Sequence, residues 1–352
     1  MVRVNKLLYF IFSLVLLAGC QVTEDIELDN DFDQIELDKY TVEYVSDIEE
    51  VGGELAHVVR DEITQGNYRI FVGDKQVRGT FSNVQDFTSL NNKVIFRTQY
   101  LPDPQWVAVH GNDDISFPEN DIIDLRVYGD RYFFVLDDND RTYIEENGES
   151  KFGLSYDSVN QPVIVGGELA YVAYKDGKSF VVRNEKIVSK GYNTIGSLIS
   201  VGSDLAFIAK EEKDGKAFIT RLYNDPGLEP KEFSHDAGLD YLDKNLDLFN
   251  RLVDVNGQIG YRARDATTGK EILMVNDQKV GKEYDLVARL VSIGDKIAYY
   301  ALVLDKDREF IVYGDKEYEI PDSFSGPFDY NGKLAFVIHP NYPGPSIVYI
   351  EK

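Results

Sequence analysis

The sequence predicts an all-β chain folded as a β-propeller, and three observations carry that reading. Runs of four to six β-branched and aromatic residues alternate with Gly-Asp, Asn-Gly and Asp-Lys turns from about residue 40 to residue 350, the chemistry of short strands joined by hairpins. An anchor made of an apolar residue, usually a small one, then an aromatic recurs eight times: Leu55-Ala56-His57, Val94-Ile95-Phe96, Tyr132-Phe133-Phe134, Leu169-Ala170-Tyr171, Leu205-Ala206-Phe207, Ile259-Gly260-Tyr261, Ile297-Ala298-Tyr299 and Leu334-Ala335-Phe336. Successive anchors lie 39, 38, 37, 36, 54, 38 and 37 residues apart, so one interval alone departs from a period near 38. A repeat of roughly 40 residues is one four-stranded blade, whose small sheet buries both faces only by stacking between neighbours in a ring. Eight four-stranded blades are expected, with seven as the alternative count.

With the first strand of each blade innermost, the second carries the anchor. The third is expected at 68–72, 105–109, 141–144, 179–182, 217–220, 271–275, 309–313 and 346–350. Continuous apolar runs such as Phe180-Val181-Val182 imply strands covered on both faces. The turns that follow, Gly73-Asp74, Gly111-Asn112, Asn147-Gly148, Asn184-Glu185, Asn276-Asp277 and Gly314-Asp315, hold residues that tolerate positive φ. Ala56, Ala170, Ala206, Gly260, Ala298 and Ala335 suit a narrow spacing between blades, whereas Ile95 and Phe133 require blades 2 and 3 to pack differently. After Leu334 the chain has room for two strands only, so residues 34–40 are expected to supply the outer strand of the last blade. Residues 42–51 are then the inner strand of the first. Such a clasp leaves the ring without a free edge.

The segment Val165-Gly166-Gly167-Glu168-Leu169-Ala170-Tyr171-Val172-Ala173, followed by Asp176-Gly177-Lys178 and Phe180-Val181-Val182, resembles the repeat unit of bacterial WD40-like or TolB-type β-propellers. The resemblance covers about residues 40–350, with the first three units degenerate. It implies the fold, and scaffold, ligand-binding or enzyme-accessory roles in general, without selecting among them.

The start of the chain has a different character. Arg3 and Lys6 precede an apolar run from Leu7 to Leu17, which closes in Leu17-Ala18-Gly19-Cys20. That is the layout of a signal peptide, too short for a membrane-spanning helix. The closing residues are similar to the lipobox of bacterial lipoproteins, which makes Cys20 the expected lipidation site. As the one cysteine in 352 residues, Cys20 also has no disulfide partner. Gln21 stands where an Asp would, in that family, imply inner-membrane retention, so an outer-membrane location on the extracytoplasmic side of the cell envelope is favoured. Eight carboxylates between Thr23 and Asp38 predict an extended segment. The expected organisation is therefore a signal peptide at 1–19, an acidic tether at 20–33 and one propeller domain at 34–352. Asp29, Asp31 and Asp33 do not open a calcium loop, because Gln34 and Tyr40 stand where it needs Gly and Glu.

The formal net charge is −24. Loss of Arg3 and Lys6 with the signal peptide takes the mature chain two units further. Such a surface is soluble and repels nucleic acid, and no run of basic residues offsets it. His57, His110, His235 and His339 fall in different blades, and no nucleophile elbow, zinc-protease helix, phosphate loop or dinucleotide fingerprint is present. Asp137 to Asp140 and Asp305 to Asp307 read as solvated turn acids. The long interval places an insertion at about 225–247, where Leu239, Leu242, Leu246 and Phe249 have the spacing of a short amphipathic helix.

Two functions follow. The first is a membrane-anchored, extracytoplasmic binding or scaffold propeller without a cofactor. The second is a hydrolase or lyase acting on extracellular polysaccharide or peptide, with a site assembled from loops of several blades. The candidate site is one channel mouth. Twelve residues before the anchors stand Asp157, Asn193, Asp247, Asp285 and Asp322, three of them preceded by Tyr156, Tyr192 and Tyr284. Tyr100, Tyr342 and His339 lie in proline-containing loops on the same face. These side chains either close turns through nearby backbone amides or offer an acidic mouth to calcium or another cation, a peptide or a glycan.

Overall fold

The computed structural model describes residues 31–37, 43–61, 67–99, 106–117, 120–210, 217–224, 230–233, 239–240, 252–265, 268–306, 308–320, 323–339 and 346–352. The chain is an eight-bladed β-propeller. Seven of its eight sheets have four strands and one has five. The first strands are Glu43–Val51, Asn83–Leu90, Asp121–Tyr128, Ser158–Val165, Thr194–Val201, Val253–Val255, Leu286–Ile293 and Phe324–Tyr330. Each touches the first strand of the next blade, and the eighth touches the first, so together they form the inner wall of a closed ring.

Blade 4 shows the unit in full: Ser158–Val165, Glu168–Lys175, Lys178–Arg183 and Lys186–Ile187, in sequential antiparallel order. The turn from third to fourth strand needs two residues in the left-handed region, and Asn184 (φ 48°) and Glu185 (φ 60°) take it, which twists the hairpin the way its strands twist. Between blades, Ala56, Ala170, Ala206, Ala298 and Ala335 are fully buried. At Gly260 a Cβ would stand 2.6 Å from Ile297 Cδ1 and 2.8 Å from Val253 Cγ2, so glycine there is a packing requirement.

The N-terminal clasp forms, two residues earlier than the alternation of residues 34–40 suggests. Phe32–Glu36 pairs antiparallel with the last strand, Ile347–Glu351, in the register Phe32↔Glu351 and Ile35↔Val348. Leu37 N–H and Lys352 N–H extend the ladder to Ser346 O and Asp31 O. Phe32, set among acidic neighbours, is a core residue, 2 % exposed and edge-on to Tyr318 of blade 7 (4.9 Å) and Phe336 of blade 8 (5.2 Å). The acids around it point away because strand side chains alternate.

The insertion is divided, in place of one block at 225–247. Residues 223–230, of which 225–229 lie outside the described residues, separate the third and fourth strands of blade 5, Ala217–Leu222 and Lys231–Phe233. The inner strand of blade 6 is in two pieces, Leu239–Asp240 and Val253–Val255, both paired with Gln258–Asp265, and residues 241–251 between them lie outside the described residues. Leu239 is thus on a strand. The other three residues expected on a helix, Leu242, Leu246 and Phe249, lie outside the described residues.

Candidate functional site

Every blade junction is held by a polar side chain, and at seven of the eight it grips the backbone of the neighbouring inner strand. The ladder between first and second strands slips in each complete blade, leaving a bulge. By that register Asp86, Gln161, Ser197, Arg289 and Gly326 are equivalent bulge residues, all with positive φ, whereas in blades 1 and 3 the slip falls one residue earlier, at Ser46 and Ile123. Where the next blade offers an N–H, an acceptor takes it: Leu125 N–H to Asp86, Leu198 N–H to Gln161 (2.7 Å), Leu252 N–H to Ser197 (2.8 Å). Pro162 and Pro327 occupy the same position without an N–H, and there the contact becomes donor to carbonyl: Tyr128 OH to Pro162 O, Arg289 to Gly326 O. Arg97 reaches Ile122 O, Arg262 reaches Val287 O, and Ser325 reaches Val45 O. Between blades 1 and 2 the contact joins two side chains, Ser89 to Glu49. A buried amide left without a partner costs about 1–3 kcal/mol, so the polar residue at each junction answers to what the next blade exposes.

The upper face carries the loops from second to third strand and from fourth strand into the next blade. There Asp157 Oδ2 accepts Asp176 N–H (3.2 Å) and Asp285 Oδ2 accepts Leu304 N–H (2.9 Å). Asn193 Oδ1 accepts Lys178 Nζ (2.8 Å), and the backbone N–H of each of the three bonds the end of the second strand. Asp157 and Asp285 each fasten two loops of one blade together, and Asn193 ties the entry to blade 5 onto the third strand of blade 4. Tyr156, Tyr192 and Tyr284 turn inward and meet the anchor rings edge-on: Tyr171 at 6.3 Å, Phe207 at 5.6 Å, Tyr299 at 6.1 Å. Phe81 does the same with Phe96 in blade 2. The aromatic before the loop acid is therefore a core residue by position, not a mouth residue. The turn acids behave alike, since Asp138 accepts Asp140 and Arg141 N–H groups, and these backbone bonds hold its carboxyl below the usual range.

His339 is buried between blades 8 and 1. The Ser325 hydroxyl is committed to Val45 O, so the imidazole Nε2–H donates to Ser325 Oγ (3.0 Å) and Nδ1 accepts from Ser346 (3.0 Å). Burial lowers its pKa to about 4. Asp247, Asp322, Tyr100, Tyr342 and Cys20 lie outside the described residues.

The inner wall holds acids that the repeat pattern did not single out. Asp47, Glu49 and Asp124 sit on the first strands of blades 1 and 3, with Asp86 between them on blade 2. Burial pushes Asp47 up, and neighbouring Asp86 adds to it. Burial also takes Glu49 to about 7, against the hydrogen bond from Ser89. Asp124 is raised by burial despite Arg126 at 3.0 Å. Asp86 is a bulge residue, whereas Asp47 and Asp124 directly follow the bulges of blades 1 and 3 and Glu49 stands two residues further on, a placement readable only after the inner strands are aligned. Among the described residues no three His, Cys, Asp or Glu side chains converge as a metal site.

No protein-family model and no curated protein matches the chain. Among solved structures it is similar to a Mycobacterium tuberculosis puromycin-hydrolyzing peptidase, with 11% identity and a TM-score of 0.51 over 85% of this chain. It spans 58% of that peptidase. More distant likenesses include the β-propeller domain of the Trilobed protease from Pyrococcus furiosus, at 9% identity and TM-score 0.46 over 88% of this chain and 93% of that one. The CRINKLY WD40 ectodomain of an Arabidopsis thaliana receptor kinase matches at 10% identity and TM-score 0.42, over 79% of this chain and 99% of that one. At these identities the likeness is one of fold.

Proposed function

We propose that this chain is an exported, lipid-anchored binding propeller whose inner wall receives a cationic ligand. The observation that carries the reading is the arc of carboxyls Asp47, Glu49 and Asp124 on blades 1 and 3. Two are held above the usual carboxylate range chiefly by burial and Glu49 reaches about 7. A cation entering the channel returns to these groups the stabilisation that burial removed, and a chain of net charge −24 draws it in. The anchor rests on the signal-peptide layout ending at Cys20. The clasp enters the ring on the lower face, where Asp31 pairs with Lys316, opposite the upper mouth.

Titrating spermidine, a lysine-rich peptide and calcium into the full chain in detergent tests the binding reading. Affinity that falls with salt, and at least tenfold in Asp47→Asn/Glu49→Gln, is the expected result, with Asp157→Ala/Asp285→Ala altering melting alone. Equal affinity in the wall variant removes the reading. Metabolic labelling with palmitate tests the anchor, since label in Cys20→Ser would rule out that residue as its site.

A further inference from the structure

At one position of the lower rim, blades 3, 4 and 5 carry an ion pair that the other blades lack among the described residues. The third-strand residue opposite the small anchor residue is Glu146, Arg183, Arg221, Val275 and Tyr313 in blades 3 to 7. Its partner, two residues before the small one, is Arg131, Glu168, Asp204, Gln258 and Lys296. Blades 3, 4 and 5 close this position with salt bridges of 2.6, 2.7 and 2.8 Å. The bridging arginines continue outward, Arg131 to Gly167 O of blade 4 and Arg183 to Asn224 of blade 5, and so fill the space between blades. Blade 7 substitutes Lys296 resting over the Tyr313 ring at 4.8 Å. In blade 6 Val275 faces Gln258, and among the described residues no ion pair joins these two positions.

A cleft of about 700 Å³ opens at that place between blades 6 and 7, within the range of small-ligand and side-chain sites. Its floor is Val255, Leu273, Val275 and Ile297, and Val280 offers an exposed apolar shoulder. The rim carries Asp295, Asp315 and Glu351, none of which has an ion-pair partner among the described residues. Of the two lysines there, Lys316 is taken by Asp31 at 2.8 Å and Lys296 leans on Tyr313. Burial, then the charges of Glu351 and Asp295, raise the Tyr313 phenol, which marks two of the carboxylates as close to one ring. An apolar floor under an uncompensated acidic rim matches one kind of side chain, a long aliphatic stem ending in a cation.

We propose that this cleft docks a peptide segment of a partner protein through a lysine or arginine, with the stem on the valine and isoleucine floor and the head group among Asp295, Asp315 and Glu351. An apolar residue next to the basic one then covers Val280. The site is separate from the inner wall of blades 1 to 3.

Fluorescence anisotropy of an end-blocked, labelled Leu-Arg-Leu peptide with the full chain in detergent tests it. Binding is expected to weaken with salt, to drop at least tenfold in Asp295→Asn/Asp315→Asn, and to drop as much in Gln258→Glu/Val275→Arg, which copies the closed rim of blade 4. It should be unchanged in Asp47→Asn/Glu49→Gln, so failure here and failure of the inner-wall reading are told apart. If Gln258→Glu/Val275→Arg does not fold, the asparagine pair decides alone. The proposal is overturned by undiminished binding in the asparagine pair, by equal binding of Leu-Glu-Leu, or by a neutral oligosaccharide competing the peptide away.

Discussion

Blades 4 and 6 share one register and differ in nearly everything built upon it. Blade 4 has an unbroken inner strand, a glutamine reaching the Leu198 amide, and Arg183 bridging to Glu168 and on to blade 5. Blade 6 has an inner strand in two pieces, a glycine where its neighbours have alanine, and a cleft where blade 4 has the ion pair. Both keep the anchor tyrosine bonded to a turn acid, Tyr171 to Glu185 (2.6 Å) and Tyr261 to Asp277 (2.7 Å). The positions that survive in blade 6 are those that hold the ring together. The positions that change are free to carry recognition, because neighbouring blades already supply the stability.

The largest effect expected from breaking this comparison is at the shared anchor. Tyr171→Ala and Tyr261→Ala should each cost about 3–5 kcal/mol, read by denaturant unfolding, and a small loss in blade 6 would show its core to be looser than its register implies. Adding a methyl comes next. Gly260→Ala meets Ile297 and Val253 at less than 3 Å and should destabilise by about 1–3 kcal/mol. The reverse change in blade 4, Ala170→Gly, should cost only about 1 kcal/mol. Equal losses would mean that the two junctions have the same width.

At the bulge, Gln161→Leu leaves the Leu198 amide unsatisfied and should cost about 1–3 kcal/mol. Blade 6 offers the paired test, since Ser197→Ala strands the Leu252 amide beside the interrupted strand. A much smaller loss there would indicate that water reaches the amide through the insertion.

The smallest effects are in pH dependence, and they oppose one another. His339 titrates near 4 in the fold against 6.5 free, so the unfolded chain binds the extra proton between those values and stability falls as pH drops through that window. Glu49 titrates near 7 against 4.5 free, so the folded chain holds the extra proton and stability falls as pH rises from 4.5 to 7. Melting temperatures of Glu49→Gln across pH 4 to 8 should lose the second slope and keep the first. An unchanged profile would mean that Glu49 is well hydrated.

The blade count, the third strands and the N-terminal clasp were legible in the sequence because each rests on local periodicity and turn chemistry, written into every 38 residues. Phe32 escaped that reading, since a single aromatic among acids carries no period of its own and only Tyr318 and Phe336, some 300 residues away, make it a core residue. The tyrosines before the loop acids were legible as a repeat but not as a location, because a recurring position says nothing of which way its side chain faces. The ring decided that by turning them onto the anchor aromatics. The inner-wall carboxyls and the cleft belong wholly to the tertiary structure. Asp47 and Asp124 become neighbours of Asp86, Glu49 becomes a neighbour of Asp329, and Val275 becomes a gap, only when closure of the ring sets one blade's register against the next and removes water from between them.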